Sequence, residues 1–286
     1  MSKQASDLVK GIAKLASLPE VCVRVNELVD DPRSSAADIG RVISRDTALT
    51  AQLLRMANSA FYNFPSKVNS ISRAITVVGE RELRYLVLAL SAVRTFSQIP
   101  VEIINMASFW RHSVYCGVLA RLVASHCHVL HAERLFVAGL LHDVGMLVMM
   151  NRAPEQAKQA LSRSEQEGRE LPQVERELFG FDHADVGQAL LQQWSIPAAL
   201  CETVGCHHDV GRAEEARLDA AIVHIANVMA NRAELPADHS GPVPQVDALA
   251  WQITGLNEEK ITAIGDEAGP LFAESWSMIQ PIVRHA

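Results

Sequence analysis

Residues 140–149 read LLHDVGMLVM, a histidine and an aspartate side by side in a run that is otherwise apolar. An ionised carboxylate among leucine and valine is costly unless a cation or strong hydrogen bonds offset it, so something must face Asp143. Candidates to join His142 are His112 in FWRHSVYCG, His183 in GFDHADVG, and the adjacent His207 and His208 in VGCHHDV. Neutral imidazoles with one carboxylate suit Zn²⁺, Mn²⁺ or iron, and a carboxylate can bridge two such ions. A structural alternative stays open. His112 then hydrogen-bonds Asp143 or a backbone carbonyl, and His207 and His208 cap carbonyls at a helix end. His126, His128, His131, His224, His239 and His285 match no motif and read as surface or core residues. Cys116 and Cys206, close in sequence to the candidates, read as packing residues.

The elements that must position these side chains are helices. Val21, Val25, Leu28 and Val29 share one helical face, with Pro19 suited to the start. Pro32 interrupts, and Ser35 with Asp38 forms a capping-box pattern before Ile39, Val42 and Ile43. A helix is predicted over 47–60, then an irregular stretch around Pro65, then a short helix from Ser70 that Gly79 ends. Leu83, Leu86, Val87, Leu90 and Val93 stripe the last helix of the first half. Residues 107–130 and 133–150 read as two helices apolar nearly all round, which places both at the centre of a bundle. Residues 151–180 are polar and helical, DHADVGQALLQQW is amphipathic, Pro197 opens another helix, and 218–231 forms one more. Two or three weaker helices are expected beyond Pro242.

Pro100 marks the boundary between two halves, as a short hinge. The stretch RDTALTAQLLRMANSAFY has two readings. Asn58, Ser59, Tyr62 and Asn63, with Phe61 and Phe64 beside them, either fix a loop that packs the halves together or form a partner-binding surface.

The 286 residues, 49% of them hydrophobic, suffice for a sizeable core. A formal charge of −7, from 26 basic and 33 acidic residues, supplies no basic face for a phosphate backbone, so nucleic acid is not expected as a partner. The start, MSKQASDLVK, has no apolar stretch of signal-peptide length, and no later run is long enough to cross a bilayer. A cytoplasmic protein without a membrane partner is the expectation. Five scattered cysteines, with no Cys-x-x-Cys pair, read as reduced thiols.

The order His112, His142-Asp143, His183, His207-His208 resembles the HD superfamily of metal-dependent phosphohydrolases, and among them the HD-GYP cyclic-dinucleotide phosphodiesterases. The first half resembles the HDOD family more specifically. Its Leu-Pro start at Leu18, the stretch Asp46 to Thr50, NSA at Asn58 to Ala60, and AI…VG at Ala74 to Gly79 carry that likeness, which covers residues 15 to about 230. The resemblance implies a signalling-output relative of HD hydrolases. It also exposes departures: Met146 stands where HD-GYP proteins have a lysine, Asp209 where a glutamate follows the paired histidines, and Asn227 where the last HD motif has an aspartate. Loss of that anion should weaken metal binding.

The expected fold is all-α, a helical bundle of two packed subdomains of which the second is HD-domain-like. Its parts are an HDOD subdomain at 1–98, an HD-like subdomain at 99–240 and a helical extension at 241–286. The expected function is a bacterial regulatory output module acting through a signalling protein partner or a small ligand, without catalytic residues. Its metal ligands would be His112, His142, Asp143, His183, His207 and His208, holding Fe, Mn or Zn at partial occupancy. Two rivals are a metal-dependent phosphohydrolase using the same ligands on a cyclic dinucleotide or other nucleotide, and a scaffold with no metal.

Overall fold

Ser35 caps its helix as the sequence suggests: its hydroxyl accepts from Asp38 N, and the Asp38 carboxylate accepts in return from Ser35 N. The computed structural model describes residues 4–10, 18–59, 62, 64–98, 103–236, 238 and 243–284, and these hold sixteen α-helices and no strand. The expected hinge at Pro100, the loop residues Ala60, Phe61 and Asn63, His239, Pro242 and His285 lie outside the described residues.

The first half contains α1 (Ala5–Lys10), α2 (Glu20–Asp30), α3 (Ala36–Ile43), α4 (Thr47–Ala57), α5 (Ile71–Val78) and α6 (Glu80–Ser97). The second contains α7 (Met106–His126), α8 (Glu133–Leu141), α9 (Val144–Arg152), α10 (Pro154–Glu167), α11 (Leu171–Phe179), α12 (His183–Gln193), α13 (Ala198–Gly205) and α14 (Arg217–Glu234), followed by α15 (Ala248–Thr254) and α16 (Glu258–Arg284). No helix among the described residues is long and apolar enough to cross a membrane.

Three boundaries differ from the periodicity, and the helices past Pro242 agree in number but not in length. The helix predicted over 47–60 stops at Ala57, because the Asn58 amide donates to Leu54 O and Val68 O and accepts from Val68 N, tying down the following loop. The helix predicted over 107–130 stops at His126, before a loop in which His128 and His131 take left-handed backbone angles. The run 133–150 is two helices, broken at His142-Asp143. Past Pro242 there is one long helix, α16, with Pro270 and Pro281 inside it, besides the short α15. Buried Ile261, Ile264, Ala268, Ile279 and Ile282, packed with α7 and α6, offset what the prolines cost. The short α1, which no stripe announces, packs against α12 and α9 through Leu8 and Val9.

At the centre lies α7, flanked by α8, α14 and α16. One hydrophobic cluster runs from Leu8 to Ile282 and includes both halves, with Phe96 of α6 set against Trp194 after α12 at 5.7 Å between ring centroids. The Arg121 guanidinium of α7 lies over the Tyr62 ring at 5.8 Å, joining the 58–68 loop to the second half. Because the apolar core of the first half is continuous with that of the second, residues 1–98 expressed alone are expected to be insoluble or to melt without cooperativity. A soluble fragment with a sharp thermal transition by circular dichroism would refute this.

Candidate metal centre

His142 and Asp143 form the turn between α8 and α9, which is why the apolar run is not one helix. Two close helix approaches hold that turn. Gly139, one turn earlier, packs on α7 so tightly that a Cβ there would meet the Gly117 Cα at 2.8 Å and the Cys116 carbonyl at 2.9 Å. Gly145, just after the turn, faces α12, where a Cβ would collide with the His183 carbonyl oxygen and sit 2.6 Å from Gly187 N. The backbones touching at Gly145 are those that carry Asp143 and His183. His112 comes from α7, His183 opens α12, and His207 and His208 follow α13.

Around the Asp143 carboxylate the imidazoles divide into two sets. His183 Nε2 and His207 Nε2 lie 3.2 and 3.6 Å from Oδ1, whereas His142 Nε2 and His112 Nε2 lie 3.1 and 3.9 Å from Oδ2. His208 Nε2 is 2.8 Å from His183 Nε2. Donor atoms of Asp143, His183, His207 and His208 all fall within 4.8 Å of one another, and so do those of His112, His142 and Asp143. All six expected ligands thus meet, with Asp143 common to both sets.

The opposite ring nitrogens fix the tautomers. His142 Nδ1 donates to Gly139 O at 2.7 Å and His207 Nδ1 to Val204 O at 2.6 Å, since a carbonyl only accepts. His183 Nδ1 pairs with the Glu175 carboxylate at 2.7 Å, and His112 Nδ1 with that of Glu234 at 3.0 Å. In each neutral ring the Nε2 lone pair is therefore left for the interior of the cluster. His112 does not hydrogen-bond Asp143, as the structural alternative had it. His207 does cap a carbonyl, but with the nitrogen that faces away from Asp143.

Burial makes the arrangement costly unless a cation completes it. His142 and His207 are fully buried, the His183 side chain is 3% exposed and that of Asp143 13%. His142 Nε2, His207 Nε2 and Asp143 Oδ1 are buried and make no hydrogen bond, close as they lie to one another. Burial disfavours charge on the His142 ring, but the Asp143 carboxylate outweighs it and holds the pKa well above the usual imidazole range. Burial likewise opposes charge on His183, where Glu175 and Asp143 together win and raise the pKa well above that range. On Asp143 burial is overcome by His142, His183 and His207, which lower the pKa well below the carboxylate range. Burial, with the charges on His142 and His183, pushes His207 down to about 4, and burial beside His207 and His183 pushes His208 well down. His142 and His183 thus favour protons with which a metal would compete, whereas His207 and His208 favour the neutral ring. Ligands at about 2.0–2.2 Å from an ion lie roughly 3–3.5 Å apart, comparable to the spacings of the set. The residues fit a divalent metal.

Several contributors had no sequence signal. Glu175 is a buried carboxylate in a polar helix, 4% exposed, whose Oε2 also accepts from His183 N. Glu234 ends α14. His224, unassigned by motif, donates from Nδ1 to His207 O at 2.8 Å and accepts Asp247 N at Nε2, bracing the paired histidines. Asn227 is buried, but its Oδ1 accepts from Asn231 Nδ2 at 2.7 Å. Asp209 is absent from both donor sets. All five cysteines are free thiols.

Comparison with known proteins places these observations. Residues 15–210 match the HDOD domain family. The chain is 28% identical over 217 residues to an uncharacterized protein of Treponema pallidum (strain Nichols), covering 75% of this chain and 41% of that protein. It is 26% identical over 192 residues to the cyclic di-GMP phosphodiesterase CdgJ of Vibrio cholerae, covering 58% of this chain and 43% of that protein. The chain therefore spans about two fifths of the length of both curated relatives. Its fold is similar to that of an HDOD domain protein of unknown function from Geobacter sulfurreducens, with a TM-score of 0.74 and 24% identity over 97% of this chain and 98% of that one.

Proposed function

Because the chain belongs to the HDOD domain family, we propose that it is a regulatory output module whose buried His/Asp cluster holds a divalent metal as a structural centre, without turning over a phosphodiester. The closure of the cluster carries this reading. With the His142, His183 and His207 side chains 0–3% exposed, the rings around the Asp143 carboxylate lie in the interior, and only Asp143 and His112, each 13% exposed, and the half-buried His208 reach towards the surface. His112, His142, Asp143, His183, His207 and His208 would hold the metal, and Glu175 and Glu234 would orient two of the rings. When bound, the metal supplies the positive charge that the Asp143 carboxylate needs in an apolar setting. The output would pass to a protein partner or be set by a small ligand.

A second reading, a metal-dependent phosphohydrolase, draws support from the sharing of Asp143 between two donor sets and from the name of the Vibrio cholerae relative. Met146 brings no cation to a phosphate, and Asn227, whose oxygen accepts from Asn231, brings no anion to a metal. Cyclic di-GMP incubated with the protein and Mn²⁺ or Fe²⁺ is expected to be hydrolysed at the rate of a protein-free control. Multiple turnovers that Asp143→Ala abolishes would establish the enzyme instead.

A further inference from the structure

One imidazole joins the turn that carries two of the ligands to the C-terminal part of the chain. His224, on α14, donates from Nδ1 to the His207 carbonyl at 2.8 Å, and its Nε2 accepts the Asp247 N–H at 3.0 Å. Asp247 in turn caps α15, its carboxylate accepting from Leu249 N at 2.7 Å. α15 also rests on the chain just after the paired histidines. The short 3₁₀ turn Val210–Arg212 packs against both α14 and α15, and a Cβ on Gly211 would lie 3.9 Å from Leu249 Cδ2. The hold on this segment is light. Val246, Ala250 and Leu256 are its buried apolar residues, and Arg232 of α14 clasps its two ends, donating from Nε to Pro244 O at 2.7 Å and pairing with Glu258 at 2.8 Å. Segments with so little buried apolar contact open locally more readily than a central helix does.

His207 is fixed from outside the cluster but not from within. Its Nδ1 donates to Val204 O and its carbonyl accepts from His224, whereas the buried Nε2 makes no hydrogen bond. An ion accepting that lone pair would fix the free corner of the turn on which His224 and α15 rest. We propose that occupancy of the metal centre sets how firmly the segment 244–258 is docked, with His224 as the positioning residue that connects the two. The proposal rests on the reading of the cluster as a metal centre. It gives a buried centre a readout at the surface, because a partner would meet the segment either docked or loosened. Such coupling is reciprocal, so loosening the segment must weaken metal binding by the same factor that metal tightens docking.

The test is hydrogen exchange of the full chain, chelator-stripped and again with Zn²⁺ or Mn²⁺, with bound metal measured on the same samples by elemental analysis. Amides of α15 are expected to exchange about tenfold more slowly in the metal-bound protein, within the usual range of coupling between two sites. Asp247→Pro removes the N–H given to His224 at a backbone φ of −58°, which proline adopts, and should abolish that slowing and weaken metal binding. Asp247→Ala loses the same carboxylate cap but keeps the N–H, and should retain the slowing. Metal bound with α15 exchange unchanged, a slowing that Asp247→Pro retains, or one that Asp247→Ala loses equally would overturn the link and leave the metal reading standing. No metal taken up by the wild type would overturn the metal reading, and this proposal with it.

Discussion

Zn²⁺, Mn²⁺ or Fe²⁺ added to chelator-stripped protein is expected to raise its melting temperature, and Asp143→Asn to abolish the rise. A ligand that binds only the folded state stabilises it by about 2.7 kcal/mol at a hundredfold excess over its dissociation constant. Asp143 is the common member of both donor sets, so losing its charge weakens each. The response should also depend on pH. His142 and His183 have folded pKa values raised above the ordinary value, so their protonated forms stabilise the metal-free fold. That contribution is fully present below the unfolded value of about 6.5 and is lost as pH rises through the folded values. The metal competes with those protons for Nε2. The metal-induced rise should therefore be larger at about pH 8 than at about pH 6, measured by thermal melting at both. A response that Asp143→Asn retains, or one that shrinks with rising pH, would contradict the geometry.

Gly145→Ala is expected to be the most damaging glycine-to-alanine change among the described residues, costing about 3 kcal/mol or more. The added Cβ meets backbone, the His183 carbonyl and Gly187 N, which cannot rotate aside as a flexible side chain would. Relief requires α9 and α12 to separate, and these helices carry Asp143 and His183 towards each other. Loss of stability and loss of the metal response should appear together. Denaturant unfolding checks the first. A change within about 0.5 kcal/mol, the range of ordinary surface substitutions, would show that the helices are not in the contact described.

The capping box at Ser35, the start of α2 after Pro19 and the central burial of α7 and α8 were legible because each depends on residues close in sequence. The gathering of the candidate ligands was legible only through the family's motif order, since helix position does not single them out: His112 lies inside α7, whereas the unassigned His126 ends it. The break at His142-Asp143 was not legible. Its flanks are apolar on both sides, and the turn is set by contacts of Gly139 with α7 and of Gly145 with α12. Glu175, Glu234 and His224 were hidden for a related reason: their roles arise only when α11, α14 and the turn after α13 meet. The length of α16 defied Pro270 and Pro281, because packing of one face outweighs local propensity.

The most direct test of the account is elemental analysis of protein purified without chelator or affinity metal, wild type beside Asp143→Asn. The account predicts Fe, Mn or Zn carried at partial occupancy by the wild type and lost from the variant. No metal in the wild type as purified, and none taken up on dialysis against each ion, would contradict it and leave the His/Asp cluster a purely structural feature of the bundle.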